Sequence, residues 1–245
     1  MSTADVGAII AAAGSGQRYG ARKQLLELAG RPLLCHSLDA FAALEDLAEL
    51  VVVGPADDLS GVERVVENWR PPGAAAPSPG GSGRPPVRVV AGGAHRHDSV
   101  RRGLAALGAA VARVLVHDAA RPLVLPGDIR RLLDAVAAHG AAALGHPVTD
   151  SVREESGGRV ARSLDRRHVW QVQTPQGARR ELLERAYGSL DPAAESATEP
   201  TDEIALLRGA GVDVTLVEGS RENVKITLPG DLELAEFLLA RRGTT

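Results

Sequence analysis

Lysine is almost missing from this chain: of its 28 basic residues, only Lys23 and Lys225 are lysine. Arginine, alanine, glycine and proline fill the gap, the usage expected where a GC-rich coding sequence exchanges lysine for arginine wherever the protein tolerates it. The two cations are not equivalent, because an ammonium is a compact point charge and a guanidinium is a wide planar fork. A site that must set a cation against a crowded phosphate oxygen can tell them apart. The two surviving lysines, whether kept for that or merely passed over by the drift, lie in the most motif-like segments at either end of the chain. Cysteine is just as scarce. With Cys35 alone, no internal disulfide can form, which fits a reducing compartment. Aromatic residues make up 2% of the chain, so its core must be built from Ala, Val and Leu. No apolar run approaches the length of a membrane span, and the opening Met1 to Asp5 lacks a basic segment leading into an apolar one. A formal net charge of −3 gives no reason to bind nucleic acid or an anionic membrane surface. Together these absences predict a soluble cytoplasmic protein with no nucleic-acid and no membrane partner.

What is present is an alternation of strand and helix patterns. At 245 residues and 44% hydrophobic content, the chain is long enough for one large α/β domain with a full core. Short runs rich in β-branched residues at Val6–Ala12, Leu50–Val53, Val87–Val90 and Val114–Val116 read as buried strands. Helical patterns over 32–44, 59–69, 98–107 and 127–139 separate or follow them. This predicts a mostly parallel, doubly wound, Rossmann-like sheet with helices on both faces, spanning 1–245 as a single domain. Ligands of such sheets bind outside the carboxyl ends of the strands.

Two segments break the alternation. Residues 71–86 are almost all Pro, Gly, Ala and Ser, and they read as a mobile surface insertion. Residues 147–177 read as a projecting β-arm: 148–153 and 159–164 alternate, and Glu154 to Gly158 between them is a turn signal. A lone hairpin is marginal in water, so this arm is expected to pack on a second subunit. The C-terminal part returns to α/β, with helices over 178–187, 201–208 and 230–242 and a strand over 213–217. Lys225 is expected in a short strand after a turn.

The chemistry-bearing residues gather in five places. The glycine-rich turn Ala13-Gly14-Ser15-Gly16-Gln17-Arg18 follows the first strand, and Lys23 lies close behind it. Such a turn lets backbone N–H groups approach phosphate oxygens. It is not a P-loop, since no Gly-Lys-Ser/Thr follows, and it lacks the third glycine of the dinucleotide fingerprint. In Val114-Leu-Val-His-Asp-Ala-Ala-Arg-Pro122, Asp118 sits at the end of a buried strand, placed either to hold Mg²⁺ beside a triphosphate or to cap a following turn. His117 next to it reads as structural. The remaining places are Trp170-Gln-Val-Gln-Thr-Pro-Gln-Gly177 with Arg166 before it, Thr201-Asp-Glu203 as a helix N-cap with acidic first-turn residues, and Glu218 to Thr227 around Lys225.

Taken together and in order, the turn at 13–18, Lys23-Gln24, Val116 to Pro122, Gln173-Thr-Pro-Gln176, Thr201-Asp-Glu203 and Asn223-Val-Lys-Ile-Thr227 resemble the 2-C-methyl-D-erythritol 4-phosphate cytidylyltransferase family. The resemblance covers nearly the whole chain. It implies a nucleotidyltransferase fold, a homodimer that exchanges its β-arms, CTP as co-substrate and Mg²⁺ as the divalent metal. The implied reaction transfers CMP from CTP to methylerythritol phosphate, with no general base, because the attacking phosphate monoester is already anionic. Arg18 and Lys23 are implied at the α-phosphate and the leaving pyrophosphate, and Arg166 and Lys225 at the acceptor phosphate. Ala12, Ala13, Gly14, Ser15 and Gly16, with Gly93 and Ser99, are implied to face the nucleotide, and Asp118 the metal. Arg121, Ser151, Thr174 and Thr201 would complete the acceptor pocket.

Three positions depart from the family pattern. Ser151 stands where Thr is usual, Glu222 where Asp is common, and His95-Arg96-His97 replaces a more acidic stretch. A related cytidylyltransferase acting on ribitol 5-phosphate would share most of these residues. A non-catalytic nucleotide sensor of the same fold would have no need for both lysines.

Overall fold

The computed structural model describes residues 4–14, 26–72, 85–190 and 200–243. Seven strands form one sheet: β1 (Val6–Ala11), β4 (Leu47–Gly54), β5 (Val87–Ala91), β6 (Arg113–Asp118), β7 (Ala141–Pro147), β10 (Trp170–Arg179) and β11 (Thr215–Glu218). Their spatial order is β11-β7-β10-β6-β1-β4-β5. All run in one direction except β10, which is antiparallel to both of its neighbours. Two short pairs stand apart from the sheet: β2 (Glu27–Leu28) with β3 (Arg31–Pro32), and β8 (Arg153–Ser156) with β9 (Arg159–Ser163).

The pleat of each central strand divides its side chains between two cores, as expected for a sheet covered on both faces. In β1, Ala8 and Ile10 enter one cluster and Ile9 the other; in β4, Leu50 and Val52 separate from Val51 and Val53 in the same way. Helices α1 (Leu33–Ala42), α2 (Leu59–Asn68) and α4 (Pro126–His139) cover the first face. The second is covered by α3 (Arg96–Ala106), α5 (Arg180–Gly188) and α6 (Glu203–Gly209). A smaller cluster joins Leu28, Leu33, Leu123 and Ile226 to α7 (Pro229–Arg242). Helix α4 opens with Pro126, whose missing N–H costs nothing at that position. It ends at Gly140, whose φ of 88° reverses the chain straight into β7.

The mostly parallel, doubly wound architecture agrees with the expectation from sequence, and several details differ. The first strand of the arm is Arg153–Ser156, not 148–153. Gly157 and Gly158, with φ of 58° and 78°, make the reversal by themselves and leave Glu154 and Glu155 in the strand. The arm is also narrower than 147–177, because Trp170–Arg179 is a full strand of the central sheet. β7 and β10 escaped notice for compositional reasons: Ala-Ala-Ala-Leu-Gly has little β-branched character, and the buried Gln173 to Gln176 read as polar. Lys225 lies in irregular chain rather than in a strand. Residues 73–84, the centre of the Pro/Gly insertion, lie outside the described residues.

Gly103 on α3 is where helix and sheet approach most closely. A Cβ there would lie 2.6 Å from Ile9 Cγ2 and 3.0 Å from Val53 Cγ2, both on rigid strand residues. Gly103→Val is therefore expected to destabilise the fold by about 1–3 kcal/mol through overpacking. Urea unfolding at constant m-value measures it, and unchanged stability would mean that α3 can back away from β1.

Candidate functional site

The site grows from the carboxyl end of β6. Register places Ala11 of β1 directly beside Asp118, so the last residues of the two central strands share one edge. Asp118 is 9% exposed, and a carboxylate that deeply placed needs charged partners to stay ionised. It has two. Lys225 Nζ donates to Oδ2 at 2.6 Å, and Arg96 donates to Oδ1 through Nη2 at 3.1 Å and Nε at 3.3 Å. Burial alone would raise the Asp118 pKa, but the Arg96 and Lys225 charges outweigh it and hold the carboxyl far below the usual range.

Each cation arrives from a different part of the chain. Arg96 begins α3, and the turn before it is pressed onto the neighbouring strand ends. A Cβ on Gly92 would lie 2.5 Å from that of Ala13 and 3.2 Å from the Gly54 carbonyl. The Ser99 hydroxyl accepts from Gly93 N at 3.0 Å and donates to His95 O at 3.1 Å, which locks the turn. On the opposite side Arg96 meets Glu203 in two parallel bonds, Nη1 to Oε1 at 2.8 Å and Nη2 to Oε2 at 3.0 Å.

Lys225 is held by the chain around it rather than by a regular element. Ile226 N donates to Ala120 O at 2.8 Å. Asn223, fully buried, donates to Thr174 O at 2.9 Å and to Gln173 Oε1 at 3.3 Å, while Gln173 Nε2 donates to Ser220 O at 2.9 Å. Because β10 runs against its neighbours, its early residues reach the same edge where β6 ends. The amide side chains of Gln173 and Asn223 thus tie the 219–227 segment down over Asp118. Gln176 does the same for α6, accepting from Ile204 N at 2.9 Å and donating to Asp202 at 3.1 Å.

Beneath Asp118 lies His117, fully buried, its ring 5.2 Å from that of Phe41. Its Nδ1 and the Thr174 hydroxyl are 3.1 Å apart, and its Nε2 lies 3.1 Å from Arg121 O. The same hydroxyl accepts from Asp118 N at 3.1 Å. Burial pushes the imidazole down to about 4 against the opposing pull of Asp118. His117 is a neutral strut, consistent with its structural reading.

The expected site residues divide by location. Asp118 and Lys225 are in contact, and Ala12, Ala13, Gly14, Gly93 and Ser99 lie on the neighbouring strand end and turn; among the described residues nothing lies within 4 Å of where a Gly14 Cβ would stand. Thr174 sits under Asp118 with its hydroxyl already shared. Arg121 is tied into the wall, donating to Asn223 O at 2.8 Å. Thr201 is exposed just ahead of Asp202, which caps α6 by accepting from Ala205 N at 2.9 Å. Ser151 and Arg166 lie elsewhere, exposed at the base of the arm, where Arg166 donates to Thr149 O at 2.5 Å. Ser15, Gly16, Arg18 and Lys23 fall outside the described residues. Arg96 and Glu203 were missed as site residues. Their motifs were visible, but nothing local distinguishes a buried Glu from a helix-capping one.

Known structures share this arrangement of the whole chain. The crystal structure of 4-diphosphocytidyl-2C-methyl-D-erythritol synthase from Anaerococcus prevotii matches with a TM-score of 0.78 at 26% identity, covering 96% of this chain and 98% of that one. The 2-C-methyl-D-erythritol 4-phosphate cytidylyltransferase structure from Thermus thermophilus matches with a TM-score of 0.70 at 35% identity, covering 94% and 97%. Fold and sheet-edge site together define a nucleotidyltransferase. The family model described as 2-C-methyl-D-erythritol 4-phosphate cytidylyltransferase matches residues 6–241. A protein of that name from Acidobacterium capsulatum is 40% identical over 96% of this chain and 98% of its own length. The chain belongs to the 2-C-methyl-D-erythritol 4-phosphate cytidylyltransferase family. Similarity extends to longer proteins. The bifunctional enzyme IspD/IspF of Anaeromyxobacter dehalogenans is 46% identical over 94% of this chain, which spans 56% of that relative.

The buried imidazole makes stability depend on pH with a definite sign. An unfolded histidine titrates near 6.5 and His117 at about 4, so between these values the unfolded state binds the extra proton. Stability is therefore expected to fall as pH drops from about 6.5 to about 4, by something on the order of 3 kcal/mol from this residue. In a series of urea titrations, His117→Gln should flatten that limb. An unchanged slope would assign the acid sensitivity to other groups.

Proposed function

We propose that this chain transfers CMP from CTP to 2-C-methyl-D-erythritol 4-phosphate, giving 4-diphosphocytidyl-2-C-methyl-D-erythritol and pyrophosphate. The observation that carries this reading is the pair of cations, Arg96 and Lys225, held over a buried, ionised Asp118 at the strand edge where Ala12, Ala13 and Gly14 emerge. An oxygen of the acceptor phosphate attacks the α-phosphorus of CTP, and the bond from that phosphorus to the bridging oxygen breaks as pyrophosphate leaves. The attacking group is already anionic, so the chemistry needs alignment and offset of negative charge rather than proton removal. The site fits that demand, since His117, the histidine beneath Asp118, is committed to Thr174 and to the Arg121 carbonyl. Lys225 would draw the acceptor phosphate, with Arg166. Arg18 and Lys23 would meet the α-phosphate and the leaving group, and Ser15 and Gly16 would complete the phosphate turn. Arg121, Ser151, Thr174 and Thr201 would bound or buttress the acceptor.

Mg²⁺ fits the donors present. Among the described residues no group of three or more His, Cys, Asp or Glu side chains gathers. Asp118 is the carboxylate that would hold the ion, by giving up part of its contact with Lys225 or Arg96, since Mg²⁺ commonly takes one or two carboxylates with substrate phosphate and water. When bound, the ion supplies positive charge among the phosphate oxygens.

The decisive measurement is pyrophosphate release from CTP and Mg²⁺ with methylerythritol phosphate, with ribitol 5-phosphate and with no acceptor. Release is expected with the first alone. Preference for ribitol 5-phosphate would reassign the acceptor, and silence with both would leave a nucleotide-binding protein without turnover.

The arm supports a shared site in a homodimer. Every residue of β8 and β9 is exposed in the single chain, Val160 by 68%, and an isolated two-stranded ribbon has little to stabilise it. A two-fold partner would cover it and receive Ser151 and Arg166 into its own acceptor pocket. Mixing inactive Lys23→Ala and Arg166→Ala subunits should then create dimers with one doubly damaged and one intact site, restoring activity toward half of normal. No recovery despite demonstrated subunit exchange would show that each chain builds its site alone.

A further inference from the structure

Two motifs conspicuous in the sequence are only partly used by the reaction as described: in His95-Arg96-His97 the Arg96 side chain meets Asp118 without a stated task, and in Thr201-Asp202-Glu203 only Thr201 has a place beside the acceptor. The fold brings them together across 107 residues of chain. Glu203 is 1% exposed and also accepts from the Tyr187 hydroxyl at 3.3 Å. It grips both terminal nitrogens of Arg96 in a fork-on-fork arrangement, the geometry that fixes a guanidinium plane as well as its position. With that edge occupied, Arg96 turns Nη2 and Nε to one oxygen of Asp118, whose other oxygen takes Lys225. The result is a row of alternating charges: Glu203, Arg96, Asp118, Lys225. Its carboxylates lie inside, with side chains 2% and 12% exposed, and its cations face outward, at 28% and 45%.

A tie between α3 and α6 alone would not require this row. Two apolar side chains of similar size would join the helices without desolvating a charge pair. What they could not supply is the second edge presented to Asp118. That edge has an electrostatic consequence. Sharing the Asp118 charge with Arg96 leaves the Lys225 ammonium only partly neutralised and available to an anion. Without Arg96, the whole carboxylate charge falls on Lys225 and closes the two into a private ion pair.

We propose that Arg96 and Glu203 are positioning residues for nucleotidyl transfer. Glu203 orients the Arg96 guanidinium, and Arg96 holds Asp118 so that Lys225 stays fixed and open to substrate phosphate. The proposal rests on the cytidylyl-transfer reading above and names residues outside the set that the sequence pointed to.

The test compares the wild-type chain with Glu203→Gln, Arg96→Ala and the double variant Arg96→Ala/Glu203→Gln, following pyrophosphate release and Tm together. Glu203→Gln and Arg96→Ala are each expected to lower kcat by about 10–100-fold, the usual cost of losing a group that orients a site ligand. KM for CTP should change little. Arg96→Ala strands a buried carboxylate, so its Tm should drop and the double variant should regain much of it. The rate should not return with the stability, but free guanidinium at non-denaturing concentration should restore part of it to Arg96→Ala. If the double variant recovers rate along with Tm, or guanidinium does nothing, the pair is only a helix tie and the proposal fails. Should Arg96→Ala not fold, the double variant carries the test, because the Glu203 carboxylate that Arg96→Ala would strand is gone. A silent wild-type chain would overturn the catalytic reading. An active wild type matched by all variants would overturn the positioning role alone.

Discussion

A carboxylate kept charged while nearly out of contact with water is the constraint around which this molecule is arranged. Asp118 at the end of β6 is stable as an anion only because Arg96 and Lys225 reach its two oxygens. Neither cation is near it in sequence. The first is delivered by α3 after the edge strand β5, and the second by irregular chain beyond β11. The strand order, with β6 beside β1 and β10 beside β6, is what lets these distant segments converge on one sheet edge.

Polar side chains within the fold serve this convergence. Gln173, Thr174, Gln176, His117 and Asn223 are all buried, and each bonds to backbone or to another of the set. A buried amide or hydroxyl is costly unless partnered, so these contacts leave the segments around Asp118 little freedom. Reversal of β10 is central to this, since it carries Gln173 and Thr174 to the carboxyl end of β6. The site is consequently tied down from beneath, with Arg96 and Lys225 on its outer side.

Membership of the cytidylyltransferase family and the local chemistry support one another without depending on the same facts. Similarity covers the chain almost end to end in relatives of equal length, and about half of the longer bifunctional relatives. The strand edge, read only as chemistry, turns two cations outward over buried carboxylates. The arm remains outside this local account: every residue of its ribbon is exposed in the single chain, and Arg166 and Ser151 lie exposed at its base.

Much of this was legible in the sequence. Alternating strand and helix periodicity announced the parallel sheet, because a strand buried on both faces must be apolar throughout. Lys225 and Asp118 stood out, one by the rarity of its type and the other by its place at a strand end. β7 and β10 were not legible, since alanine and glutamine carry no strand signature until a sheet surrounds them. The true arm register was also hidden, because two consecutive glycines turned the chain later than the charged residues suggested. Arg96 and Glu203 were visible only as motifs without a purpose. Whether a carboxylate caps a helix or grips a guanidinium depends on what lies beside it in space, and residues 107 positions apart become neighbours only when the sheet forms.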